Sequence, residues 1–160
     1  MREQAFQELD KLHLDAATLP PGLCLYNADW HQGVIGIVAS RVKDKYHRPV
    51  IAFADAGQGG DNGAELKGSA RSIRGFHIRD ALDAIASRNP GLITRFGGHA
   101  MAAGLSLDAA LLEPFSQAFA EYAEEQLSES DLQATLVTDG ALAPEEFSLA
   151  TAEALNAAGP

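Results

Sequence analysis

A chain of 160 residues, 46% hydrophobic and 21% charged, has enough Val, Ile, Leu and Phe for one domain, with material left for a fragment of another. No apolar run nears the roughly 20 residues that span a bilayer, and the charged opening MREQAFQELDKLHLD reads as a helix and not as a secretory signal. The single cysteine, Cys24, excludes an internal disulfide and fits a reducing compartment, so the expected location is cytoplasmic.

The net charge of −10 conceals an asymmetry. Residues 31–100 carry ten Lys/Arg against six Asp/Glu, whereas residues 101–160 carry eleven Asp/Glu and no Lys or Arg. One basic face turned to an anionic partner fits this distribution. An ordinary middle followed by a solvated acidic helix is the alternative, and charge alone favours it.

Residues 2–16 read as an amphipathic helix with Phe6 and Leu9 on one side, ended by Leu19-Pro20-Pro21-Gly22. A short buried strand follows at 23–26. The next element is a helix at 33–46, in which Val34, Ile37, Val38 and Val42 share a face. Lys43 and Lys45 in its last turns suit the helix macrodipole and need no ligand to explain them.

Pro49 opens a second strand, and AGQGGDNG at 56–63 has the Gly, Asn and Asp of a hairpin-like turn. Residues 65–73 read as a strand, Gly75 as a turn, 78–87 as a helix and Asn89-Pro90-Gly91 as another turn. The run 96–100 is expected to be a tight loop and 102–107 a strand. Residues 111–127 read as a long helix with Phe115, Phe119 and Tyr122 at core spacing. This alternation predicts an α/β domain, a layered mixed sheet flanked by helices. After Ser130, residues 132–144 read as a strand and turn and 145–157 as a helix, a piece too small to stand alone.

In ELKGSARSI (65–73) alternation puts Lys67, Ser69 and Arg71 on one face, about 6.6 Å apart, with Leu66, Gly68 and Ala70 opposite. Ammonium, hydroxyl and guanidinium in a row, with Arg74 behind, make an anion cradle; a charge-blunted edge strand would look the same. In FGGHAMAAG (96–104), Gly97 and Gly98 let a ligand approach the backbone, with His99 as the one polar side chain. A close-packed turn holding a core histidine is the alternative. His31, just before the helix at 33–46, is placed to cap it, stack on Trp30 or face a phosphate. No metal site assembles, because HxH, HExxH and Cys pairs are all missing, and no G-x-S-x-G elbow supports a hydrolase triad.

Taken together, GGHAMAAG, DWHQGVIGIVASR (29–41) and KGSARSIRGFHIRDAL (67–82) resemble the DHHA1 domain, the C-terminal substrate-binding domain of the DHH phosphoesterase superfamily. GGHxxAAG resembles several relatives, among them oligoribonucleases, cyclic-dinucleotide phosphodiesterases and part of alanyl-tRNA synthetase; WHxGVIGIVASR and GSxRS are similar to the RecJ branch of 5′→3′ single-stranded-DNA exonucleases. The resemblance divides the chain into the end of an interdomain connector helix (1–20), a DHHA1 domain (21–130) and the broken-off start of an oligonucleotide-binding domain (131–160). It implies single-stranded DNA as partner and a role in repair and recombination. It implies Mn2+ or Mg2+ held by a DHH domain that this chain lacks, and hence inactivity alone. It assigns His99, Gly97 and Gly98 to the phosphate near those metals, and Ser69 and Arg71 to the terminal 5′-phosphate. Arg74, Lys67 and His31 are weaker extensions of the same set. Two other readings are a free-standing module that binds nucleic acid or a dinucleotide, and part of an oligoribonuclease or cyclic-dinucleotide phosphodiesterase.

Overall fold

The computed structural model describes residues 19–56, 64–135, 137–138 and 140–159. The expected helix at 2–16, and with it nearly all of the connector segment, lies outside the described residues. Five strands form one sheet: β1 (Leu23–Tyr26), β2 (Val50–Asp55), β3 (Glu65–Arg71), β4 (Arg95–Gly98) and β5 (Ala102–Asp108). Their order is β1-β2-β3-β5-β4, parallel between β1 and β2 and antiparallel elsewhere. The predicted mixed α/β sheet is thus present.

The parallel pair β1–β2 needs a crossover, and helix α1 (Gln32–Tyr46) supplies it. His31 caps its start, Nδ1 accepting from the Gly33 N–H at 3.0 Å. His47 ends it in the left-handed region (φ 49°, ψ 53°), its N–H donating to Lys43 O. Val34, Ile35, Val38, Ala39 and Val42 pack on Leu23, Leu25, Val50, Ala52 and Ala54. Ile35 is buried in this core as well, while Ile37 packs half-buried against its margin and also lines a groove beside β3.

The other sheet face holds the larger core. Ile51, Phe53, Leu66, Ala70, Leu105 and Leu107 meet α2 (Ile78–Arg88) and α3 (Leu112–Gln126). Phe53 and Phe115 meet edge-on with centroids 5.7 Å apart, and Phe76 meets Phe119 likewise at 6.2 Å. Gly68 must be glycine, since a Cβ there would lie 2.5 Å from Leu105 and 2.6 Å from Phe53. Phe115 and Phe119 are buried core residues, as their spacing predicts, and Tyr122 packs half-buried against the same core. Cys24 belongs to this side, and burial pushes its thiol up to about 12.

Two expectations are corrected. Residues 96–98 of the tight loop expected at 96–100 belong to an edge strand, Arg95–Gly98, paired Arg95↔Ser106 through Gly98↔Ala103 with β5, and only 99–101 turn. The glycines hide it, because their strand character comes from the partner and not from their own propensity. Beyond Ser130, no strand occurs among the described residues of 132–144. Leu132 still packs on the core, a 3-10 turn covers Pro144–Glu146, and helix α4 runs Leu149–Ala158, starting later than expected where Ser148 Oγ accepts from the Thr151 N–H. A strand needs a neighbour to accept its backbone bonds, and this segment has none among the described residues.

Candidate functional site

Helix α1 covers β1, β2 and the near margin of β3, and no other described element packs on the same face of β5 and β4. Registers align this open face in three rows. The middle row is Ala52–Ser69–Gly104–Gly97. On one side of it stands Ala54–Lys67–Ser106–Arg95, and on the other Val50–Arg71–Ala102. His99 extends the last row, because its N–H donates to Ala102 O at 2.8 Å. Since β3 lies between β2 and β5, the edge-strand explanation of its charged row falls away.

A groove of about 750 Å³ runs between α1 and β3. Gly33, Gly36, Ser40 and Arg41 line one wall; Ser69 and Arg71 line the other. The Arg71 guanidinium donates through Nη1 to Ser69 Oγ at 3.1 Å and to Ala70 O at 2.8 Å. Those two bonds fix its plane and leave its remaining N–H groups without a partner among the described residues. Gly36 makes room for the pair: a Cβ there would sit 3.0 Å from Arg71 Nη2 and 3.2 Å from Ser69 Oγ. A glycine in mid-helix costs about 1 kcal/mol relative to alanine, so this contact is its physical reason.

The two glycines before His99 differ in purpose. Gly98 has φ +149°, and a Cβ would fall 2.4 Å from Ala103 Cα, so β5 itself demands glycine there. At Gly97 a Cβ would meet nothing within 4 Å, and at Gly104 only Gly68 O at 3.9 Å. These two positions have room for side chains, and glycine leaves them as bare backbone on the open face. His99 is exposed, and its imidazole makes no hydrogen bond or ion pair with another described residue. Its loop is nonetheless firmly held: Ala100 O accepts from the Ile78 N–H at 2.9 Å and Met101 O from the Ser72 N–H at 3.0 Å. The core-histidine alternative is thereby excluded.

Other expected site residues are placed differently. Lys67 Nζ donates to Ser106 Oγ at 2.8 Å and pairs with Glu65 at 3.1 Å. Arg74 points into a separate hollow of about 350 Å³, with His47, Gly75 and Asp131. His31 is occupied as the cap of α1. Gly36, Ser40, Arg41, Gly104 and Arg95 were not singled out from sequence. The one signal was Gly36, an unexplained glycine inside a helical pattern. Among the described residues no three His, Cys, Asp or Glu side chains gather, so this donor set does not fit a resident metal ion. The arrangement suits a different task, holding a phosphate between a guanidinium fork, a hydroxyl and a bare strand surface.

The model of the DHHA1 domain matches residues 19–125. The single-stranded-DNA-specific exonuclease RecJ of Escherichia coli (strain K12) is 49% identical over 160 residues, all of this chain but 27% of that protein. Among solved structures, exonuclease RecJ bound to manganese superimposes with a TM-score of 0.61 at 31% identity, covering 82% of this chain and 32% of that one. RecJ from Thermus thermophilus in complex with Mn2+ gives 0.60 at 31% identity, covering 78% and 17%. This chain thus spans about a quarter of the length of the curated relative it resembles. With the family match running from ahead of β1 into the last turn of α3, over all five strands, the chain belongs to the DHHA1 domain family.

Proposed function

We propose that this chain is the substrate-binding part of a RecJ-like 5′→3′ single-stranded-DNA exonuclease, working in the cytoplasm in DNA repair and recombination. On this reading Ser69 and Arg71 take the terminal 5′-phosphate. The bare row at Gly104 and Gly97 lets the strand lie close to the sheet, and His99 donates a hydrogen bond to the phosphate being cleaved. A DHH domain elsewhere in the longer protein brings the Mn2+ or Mg2+ ions, since the described donors here do not suit them. The segment after about residue 130 leads into an oligonucleotide-binding domain.

One observation carries the reading: the Arg71–Ser69 pair is seated against Gly36 with donors to spare, on the same face as two glycines that nothing in the fold requires. Contacts of this kind recognise backbone phosphate and not base sequence. The test is exonuclease turnover on single-stranded DNA by the longer protein. His99→Ala is expected to lower turnover by about 100-fold or more with an unchanged melting temperature. The present chain alone, given Mn2+, is expected to release no nucleotides. Near-normal turnover of His99→Ala would remove the imidazole from the reaction, and nucleotide release by the chain alone would refute the division of labour.

A further inference from the structure

Gly104 and Gly97 stand opposite one another on β5 and β4, and neither position is short of room for a side chain. Together they form a strip of bare main chain on the open face. Along one margin of the strip run Arg71, Ala102 and His99, where the reading above places the terminal and the scissile phosphates. Along the other margin lies the Lys67–Ser106–Arg95 row, two residues further on each strand and about 6.6 Å away. Glu65 ties that row together, with Oε2 3.1 Å from Lys67 Nζ and Oε1 3.1 Å from Arg95 Nη2. Ser106, only 3% exposed, accepts from the same ammonium at 2.8 Å. Hydrogen bonds from Lys67 and then Arg95 hold the Glu65 carboxyl below the usual carboxylate range, so it is an anion at neutral pH. The row is therefore a fixed rail of donors and acceptors, and its carboxylate offsets the two cations as a seat for phosphate.

We propose that the strip seats the base of the terminal nucleotide: the ring lies flat on the main chain of Gly104 and Gly97, and its edge meets the Lys67–Glu65–Arg95 rail. The inference rests on the reading of the groove and of His99 given above. A nucleoside with its 5′-phosphate at Ser69 and Arg71 and its 3′-phosphate at His99 reaches from β3 towards β4, and so passes over β5. Its base projects away from both phosphates. Helix α1 walls the β3 flank, and the strands end on the His99 side, so the sheet surface open to the base is the glycine strip. A flat ring gains dispersion contacts from a surface it can approach evenly, and a Cβ at either glycine would hold it off. The rail suits the edge of such a ring. Its ammonium and guanidinium donate to ring nitrogens and carbonyl oxygens, and the Glu65 carboxylate accepts from amino groups. Every base carries some of these groups, so the rail holds a base without selecting one, as removal of nucleotides in any order requires.

The test compares thymidine 5′-monophosphate with 1,2-dideoxyribose 5-phosphate, which keeps the sugar and the phosphate and lacks the base. Each is titrated into the whole chain at low salt and followed by backbone amide NMR. Both are expected to shift signals around Ser69 and Arg71. The nucleotide alone is expected to shift those of Gly97, Gly104 and Arg95, and to bind about fivefold more tightly. Gly104→Val and Gly97→Val add side chains where there is room for them, and each is expected to erase that advantage while leaving the sugar phosphate unchanged. Lys67→Ala and Arg95→Ala should lower the advantage as well, and they supply the comparison if the valine variants do not fold. If the nucleotide binds no more tightly than the sugar phosphate, or if its advantage survives these substitutions, the base seat is wrong and the groove stands. If neither ligand moves the Ser69 and Arg71 signals, the groove reading fails and the base seat fails with it.

Discussion

Gly36 and Arg71 fit each other: the guanidinium lies where a side chain at position 36 would crowd it, with Nη2 3.0 Å from the place of a Cβ. The helix gives up stability at this position and the groove gains a seated cation. Gly36→Ala should therefore separate the two properties. Helix propensity favours alanine by about 1 kcal/mol, so the melting temperature is expected to hold or rise. The displaced guanidinium is expected to cost roughly tenfold in affinity for a 5′-phosphorylated oligonucleotide, the size of one charge-assisted hydrogen bond. Parallel melting and titration curves check this, and equal affinity would show that the contact is incidental.

Gly97 and Gly98 should respond oppositely to alanine. At Gly98 the new Cβ meets β5 backbone in a conformation that side chains rarely adopt, and destabilisation of about 2–4 kcal/mol is expected. At Gly97 the Cβ enters open space, so stability should stay within about 1 kcal/mol while oligonucleotide affinity falls. Denaturant melts of the two variants decide it. Equal destabilisation would mean that Gly97 also serves the fold.

How much of this is legible in the sequence depends on how local each feature is. The alternation of β3 is local, and it placed Lys67, Ser69 and Arg71 on one face without knowledge of any neighbour. The caps of α1 and the aromatic spacing of α3 are local too. β4 was not legible, because Arg-Phe-Gly-Gly becomes a strand only by pairing with β5. Nor was the groove, since the meaning of Gly36 depends on α1 lying against Ser69 and Arg71 of β3. Arg74 follows Arg71 closely in sequence, yet the chain leaves the sheet at Arg71 and carries Arg74 into a different hollow. The expected strand at 132–144 failed for the reverse reason, a suitable composition with no partner among the described residues.

The buried thiol gives the stability a slope in alkali. Burial raises the Cys24 thiol from 9.0 to about 12. Between those values the unfolded chain releases a proton that the folded chain retains, so folding stability falls as pH rises. The slope contributed is at most roughly 1.4 kcal/mol per pH unit. The Tyr26 hydroxyl, held protonated by its hydrogen bond to Asp55, adds in the same direction. Denaturant melts from pH 8 to pH 11 are expected to show the decline, and Cys24→Ala to flatten much of it. At pH 8 the native thiol should react with iodoacetamide far more slowly than the unfolded one, and equal rates would place it at the surface.

The groove itself faces its most direct test in how the chain treats the two kinds of DNA end. Short oligothymidylates carrying a 5′-phosphate or a 5′-hydroxyl are titrated against the chain and its Arg71→Ala variant at low salt, where weak phosphate contacts are readable. The unaltered chain is expected to prefer the phosphorylated end by roughly tenfold, and Arg71→Ala to erase that preference with little effect on the hydroxyl end. Equal binding of both ends by the unaltered chain, or a preference that survives Arg71→Ala, would contradict a 5′-phosphate seat at Ser69 and Arg71.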